Sequence, residues 1–141
     1  MLQPFAALAT RLVIGWAFFI EGIEKCRHYA TLAEYFASIH IPTSYVTAAI
    51  VAGIEVVGGA CLIVGFGTRI AAVVLASVRI AAILAVYKAE VLAAIRSADA
   101  DILNVTPVLF VMFLMWLVTY GAGAFSIDRM FFAKYDMRPR T

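Results

Sequence analysis

The sequence predicts an all-α fold, a four-transmembrane-helix bundle with short interfacial helices. Hydrophobic residues make up 65% of the 141-residue chain and charged residues only 14%, and the mean hydropathy is +0.97. Soluble domains are less apolar and more charged than this. Four apolar windows are each close to the roughly 20 residues that cross about 30 Å of hydrocarbon as a helix. These windows are continuous rather than alternating, which favours helices over a β-barrel.

The four predicted spans make one membrane domain of nearly the whole chain. They cover about residues 4–25, 44–67, 69–88 and 102–123, and a basic tail follows at 124–141. No basic region precedes the first apolar run and no small-residue cleavage site follows it, so we expect this span to be retained. Four spans place both termini on one side of the membrane, and the basic tail favours the cytoplasm. We interpret the tail as a topology signal, and we expect no nucleic-acid partner.

Three connections join the predicted spans. In the first, Thr31 and Glu34 have the spacing of a capping box, which predicts a short interfacial helix. The third, KAEVLAAIRSADAD at 88–101, either extends the preceding helix or forms a second surface helix. Between them, only Thr68 and Arg69 separate the second apolar run from the third, which predicts a tight antiparallel hairpin.

Small residues mark the faces on which the first two spans should pack. The second span is rich in glycine and alanine, which we interpret as a surface for close helix packing rather than for a ligand. One face of the first span carries residues at steps of four, three, four and three, namely Arg11, Gly15, Phe18, Gly22 and Lys25. We expect this face to point inwards. Glu21 lies one turn from Lys25 and is expected to pair with it, whereas Glu24 should face the headgroups.

Arg11, Glu55 and Arg79 are the charged residues that fall within apolar windows. Each costs roughly 2.5 to 3.5 kcal/mol at mid-membrane, so such residues usually face a bundle interior and pair. Counted at about 1.5 Å per residue, they lie about 10, 16 and 15 Å from the cytoplasmic helix ends. One interpretation is an internal salt bridge that fixes helix register. The other is a site short of negative charge, which a quinone carbonyl or an oxyanion could complete.

Several other kinds of site are not expected. His28 and His40 lie in one connection without nearby cysteines, so we predict no metal site. Cys26 and Cys61 lie near opposite membrane faces, too far apart for a disulfide. No nucleotide-binding loop, nucleophile elbow or cofactor-attachment motif is present, so we expect no covalently bound cofactor and no complete redox reaction by this chain alone.

Four ordered motifs, RLVIGWAFFIEGIEK, YFASIHIP, GIEVVGGACLIVGFGTRIAA and GAGAFSID, resemble the DoxX family. This is a family of small bacterial and archaeal four-helix membrane proteins, and its relatives include a thiosulfate:quinone oxidoreductase subunit. The resemblance covers about residues 11–128. By position it points to Arg11, Gly22, Lys25, Glu55, Gly59, Thr68, Arg69 and Asp128. The chain departs from the family at Glu21, where many relatives have a histidine, so any proton transfer there would fall to a carboxylate of lower unperturbed pKa.

The resemblance leaves three functions open in a bacterial or archaeal cytoplasmic membrane. The first is a membrane subunit of a quinone-linked oxidoreductase, with quinone as the implied cofactor and other membrane or redox subunits, or a second copy, as partners. The second is an assembly subunit without chemistry of its own. The third, a small proton-coupled exporter, ranks last because the first apolar window carries Arg11 instead of an acid. Whether the chain is an enzyme stays open. For the first function, we expect Glu21 and Lys25 to form the outer mouth of a lipid-accessible ligand site.

Overall fold

All regular secondary structure in the described part of the chain is helical. The computed structural model describes residues 3–88, 92 and 106–120. In chain order its helices are α1 (Gln3–Arg27), α2 (Tyr29–Ser38), α3 (Ser44–Val64), α4 (Thr68–Ala85) and α5 (Thr106–Tyr120). The predicted all-α class is therefore confirmed.

Among the described residues, three helices are long and apolar enough to cross a bilayer. They cover Phe5–Arg27, Ser44–Val64 and Thr68–Tyr87, whereas the apolar stretch of α5, Thr106–Thr119, is shorter. Large apolar side chains on these helices point outwards, among them Val13 (66% exposed) and Ile70 (73% exposed). A surface of this kind fits a lipid bilayer.

Some predicted segments lie outside the described residues. They are the ends of the fourth predicted span at 102–105 and 121–123, the basic tail at 124–141, and most of the predicted surface helix at 88–101.

Glycines allow α1 and α3 to pack closely and antiparallel. A Cβ atom on Gly22 would lie 2.6 Å from the backbone nitrogen of Val56, and one on Gly59 would lie 2.6 Å from the backbone nitrogen of Phe19. Lipid supplies no hydrophobic drive for helix association, so close backbone approach and van der Waals contact must stabilise this pair. In the described structure these glycines serve helix packing.

The buried core joins α1, α3, α4 and α5. Its largest members are Phe18, Leu62, Leu75, Leu114 and Leu117. The ring of Phe18 also contacts that of Phe110, at 5.1 Å between centroids. α5 thus packs on the same core as the three longer helices. Each of the four helices also has exposed large apolar side chains on its outer side.

The short turn between α3 and α4 lies earlier in the chain than predicted. Gly65 (φ +79°) and Gly67 (φ +56°) adopt left-handed conformations that glycine tolerates without steric cost, and the Gly65 amide donates to the Cys61 carbonyl at 2.8 Å. Thr68 and Arg69 were expected to form the connection, but they occupy the first turn of α4. The predicted position was wrong because the second span was taken to run through these glycines to residue 67, whereas the helix ends at Val64.

The short helix in the first connection starts earlier than the capping-box spacing of Thr31 and Glu34 indicated. α2 begins at Tyr29, and the preceding His28 makes no side-chain capping bond. The His28 amide donates to the Glu24 carbonyl, and the Leu32 amide to the His28 carbonyl, both at 3.0 Å. Helical hydrogen bonding thus runs through the α1–α2 junction, and no capping box at Thr31 is needed.

Candidate functional site

The close contact of α1 and α3 brings Lys25 to Glu55. The Glu55 side chain is only 1% exposed, and the Lys25 Nζ atom lies 2.5 Å from both of its carboxylate oxygens. In a helix the Cα–Cβ bond tilts towards the N-terminus, so Lys25 reaches back into the protein from the end of α1. Glu55, on the antiparallel α3, leans the opposite way and meets it. A buried carboxylate is thereby compensated by charge-assisted hydrogen bonds from the lysine ammonium.

Arg79 of α4 connects this pair to α1 and α5. Its Nη2 atom lies 3.6 Å from a Glu55 oxygen and donates a hydrogen bond to the Glu21 carboxylate. Its guanidinium carbon lies 4.6 Å from the ring centroid of Phe18 and 5.0 Å from that of Phe110. Aromatic faces within about 6 Å attract a guanidinium, more so when it is desolvated. Arg79 is therefore held by two carboxylates and two rings.

Glu21, Lys25, Glu55 and Arg79 form one continuous group, which we call the charge cluster. Two carboxylates and two cations give it a formal net charge of zero. Its centre is buried, since the Arg79 side chain is 10% exposed, whereas its ends are accessible, with Lys25 at 26% and Glu21 at 37%. The cluster can therefore exchange hydrogen bonds with a molecule that approaches Glu21 or Lys25, while Glu55 and Arg79 stay out of solvent.

Arg11 lies outside the charge cluster, although it was expected at a membrane depth similar to that of Glu55 and Arg79. A Cβ atom on Gly65 would lie 2.7 Å from Arg11 Nη1, so the guanidinium packs against the end of α3. Ten residues of helix separate Gly65 from Glu55, or about 15 Å. The side chain of Arg11 points towards the N-terminus of α1 and thus away from Glu55. The expected excess of two arginines over one acid does not apply to this cluster.

The two charges at the end of α1 do not form the expected i,i+4 pair. Glu21 hydrogen-bonds Arg79 and Lys25 pairs with Glu55, so each charge pairs with another helix. Glu24 is 56% exposed and lies 3.9 Å from Arg27. That exposed position agrees with its expected place at the membrane boundary.

Among the residues indicated by the family resemblance, Lys25 and Glu55 belong to the charge cluster. Gly22 and Gly59 hold α1 against α3. Thr68 is buried and Arg69 is exposed in the first turn of α4, and Asp128 lies outside the described residues.

The sequence did not indicate Phe110 as a partner of Arg79. It placed Phe18 on the inward face of the first span, but not in contact with Arg79. The spacing of Phe18 three residues before Glu21 could have indicated that the two share a helix face. Phe110 lies in an uncharged run of apolar residues, which offers no such signal.

Within the described residues, no group of three or more histidine, cysteine, aspartate or glutamate side chains could hold a metal ion. Cys26 is exposed and Cys61 is half-buried, and both are free thiols. The charge cluster is therefore the group of polar side chains in this part of the chain best suited to a ligand. Its chemistry suits hydrogen bonding and proton exchange.

Comparison with protein-family models identifies the family of this chain. The DoxX family model matches residues 6–88, which include the whole charge cluster. A Bacillus subtilis (strain 168) protein named "Putative oxidoreductase CatD" is 34% identical over 79 residues, or 56% of this chain. The match spans 58% of that relative's length. No solved structure matches this chain. With more than half of its length matched by the family model, this apolar helical membrane protein belongs to the DoxX family.

Proposed function

We propose that this chain is the quinone-binding membrane subunit of an oxidoreductase and that the charge cluster receives the quinone head group. The observation that carries the proposal is the buried Glu55–Arg79 centre with accessible ends at Glu21 and Lys25. Ionisable side chains inside membrane helices are costly and usually mark ligand sites or proton relays. The similarity to a protein named as an oxidoreductase supports the same class of reaction.

The neutrality of the cluster favours a quinone over an oxyanion. Each cation already lies within ion-pair distance of a carboxylate. An oxyanion would add an uncompensated negative charge beside Glu21 and Glu55, which is costly in a poorly solvated site. A quinone adds no charge, and its carbonyl oxygens accept hydrogen bonds from guanidinium or ammonium groups.

The reaction divides between this chain and a partner. Reduction of a quinone to a quinol takes up two electrons and two protons. In the proposal, a redox partner supplies the two electrons and Arg79 or Lys25 holds one carbonyl oxygen. Glu21 passes the two protons, one after the other, from the membrane surface to the two oxygens of the head group and is a carboxylate again after each transfer. The role of this chain is thus to position the head group and provide a route for protons.

The proposed topology has four spans, with α5 inside the fourth, and cytoplasmic termini in a bacterial or archaeal cytoplasmic membrane. This orientation puts the exposed Cys26, at the end of α1, on the outer side. We expect an impermeant maleimide to label Cys26 from outside intact cells in a Cys61→Ser variant. In a variant without native cysteines, Arg140→Cys should react only after permeabilisation. Labelling of Arg140→Cys from outside would contradict the orientation.

A binding measurement tests the proposed function. The purified protein in lipid nanodiscs should bind a short-chain ubiquinone analogue. The double variant Glu21→Gln/Arg79→Gln removes one ion pair, keeps the cluster neutral and leaves Lys25 on Glu55. We expect it to fold and to bind the analogue about tenfold more weakly or worse, since hydrogen bonds to charged groups contribute about 1.5–3 kcal/mol.

Two comparisons make this measurement specific. Glu24→Gln changes an exposed acid next to the cluster and should bind like the wild type. Thiosulfate should not displace the analogue, because the cluster is neutral. If thiosulfate binds and the analogue does not, the ligand is an oxyanion. If the wild type binds neither, the function as a ligand-binding subunit is wrong.

The assembly subunit is the second candidate, and the internal pairing of the cluster favours it. Lys25 and Arg79 both have carboxylate partners without any ligand. Such a network can fix the register of α1, α3 and α4 for a larger membrane complex. This candidate predicts that the double variant changes co-purification with partner proteins while no form of the protein binds the analogue.

A further inference from the structure

We infer that the Glu21 carboxylate occupies the ligand position on Arg79, so that a quinone head group binds by displacing it. This inference rests on the proposed function and deepens it, because it assigns the group that the ligand replaces. The atoms concerned are Arg79 Nη2, the donor, and Glu21 Oε2, the acceptor in the present structure. A quinone carbonyl oxygen would take the place of that acceptor.

Glu21 is the member of the cluster that can leave most easily. It is the most exposed of the four side chains, so a displaced carboxylate can turn towards water or headgroups. Glu55 cannot leave in the same way, because it is buried and Lys25 bonds both of its oxygens. The cluster thus has one exchangeable carboxylate and one fixed carboxylate.

Arg79 keeps one carboxylate neighbour and its aromatic contacts when Glu21 leaves. Its Nη2 atom lies 3.6 Å from the fixed Glu55 carboxylate, and the Phe18 and Phe110 rings keep their contacts with the guanidinium. A cation that keeps a carboxylate and two aromatic faces does not become an isolated buried charge. Exchange of Glu21 for a neutral acceptor is therefore possible without movement of α4.

The structure also gives Arg79 a further donor. Its Nε atom is buried and has no hydrogen-bond partner among the described residues. An unsatisfied buried donor is costly, so a ligand acceptor close to the guanidinium gains from satisfying it. The displaced Glu21 would remain one side-chain length from the head group, where a carboxylate can accept a proton from a quinol or deliver one to a quinone.

Removal of the internal acceptor should then tighten binding. We expect Glu21→Ala to bind the short-chain ubiquinone analogue about threefold more tightly or better than the wild type. Glu21→Gln keeps an uncharged acceptor at the same position and should fall between the two. Glu24→Ala is the matched control, because it removes an exposed acid three residues away that does not contact Arg79, and its affinity should equal that of the wild type.

The outcomes separate the inference from the proposed function. If the wild type binds the analogue and Glu21→Ala binds equally or more weakly, Glu21 does not compete with the ligand and the inference is overturned, while the proposed function stands. If neither protein binds, both are overturned. Tighter binding that vanishes in Glu21→Ala/Arg79→Gln supports the inference and assigns the gain to Arg79. Should Glu21→Ala fail to fold, the Glu21→Gln affinity decides alone, because competition predicts a gain and a purely structural role does not.

Discussion

Glu55→Gln is expected to lower the free energy of unfolding of this protein in detergent by about 3 to 5 kcal/mol, the usual cost of breaking a buried ion pair. Glu55 is the fully buried acid of the charge cluster, with Lys25 on both oxygens and Arg79 at 3.6 Å. The substitution keeps the shape of the side chain and removes its charge. Two cations would then share the single, partly exposed carboxylate of Glu21, so the cost comes from charge and not from a cavity.

Thermal unfolding followed by circular dichroism measures this effect, and two variants control for it. Lys25→Gln/Glu55→Gln removes both members of the pair and should be more stable than Glu55→Gln alone, because no uncompensated cation remains at Lys25. Glu24→Gln alters an exposed acid and should melt like the wild type. A Glu55→Gln protein that melts at the wild-type temperature would mean that Glu55 does not form a buried ion pair, and the charge cluster as described would be wrong.

The helices were largely predictable from the sequence because lipid imposes a simple rule. A segment in hydrocarbon must satisfy its own backbone, so long apolar windows become helices. The windows around Glu55 and Arg79 therefore became α3 and α4. The turn between them was placed at Thr68 and Arg69, but the chain turns at Gly65 and Gly67. Apolar composition cannot separate a glycine that packs in a helix from one that ends it.

The site was predictable in its members more than in its pairs. Glu55 and Arg79 stood out because a charge in an apolar window is costly, and Lys25 because it continues the inward face of α1. Depth counted from helix ends then grouped Arg11 with them, although its side chain points towards the N-terminus and packs on Gly65. The direction in which each side chain points along its helix, which the tilt of the Cα–Cβ bond determines, would have separated Arg11 from Glu55. No local pattern indicated that the ring of Phe110 would reach Arg79.

The glycines of α3 have a consequence for the same site, because they set the distance across which Lys25 must reach Glu55. A Cβ atom on Gly59 would lie 2.6 Å from the Phe19 nitrogen and 2.7 Å from the Gly15 oxygen. Both neighbours are backbone atoms, so no rotamer change can relieve the contact. Gly59→Ala must therefore push α1 away from α3 and lengthen the Lys25–Glu55 pair as well.

We expect Gly59→Ala to lower the free energy of unfolding by about 3 kcal/mol, at the upper end of the usual range for overpacking, and Gly59→Leu to lower it further. Gly53→Ala is the matched control, since it is the same substitution in the same helix with no atom within 4 Å of the new Cβ. It should leave stability unchanged or raise it by about 0.5–1 kcal/mol through helix propensity. Thermal unfolding of the three variants in one detergent makes the comparison. Equal melting of Gly59→Ala and Gly53→Ala would mean that α1 and α3 do not approach as closely as described, and the short Lys25–Glu55 contact would lose its structural basis.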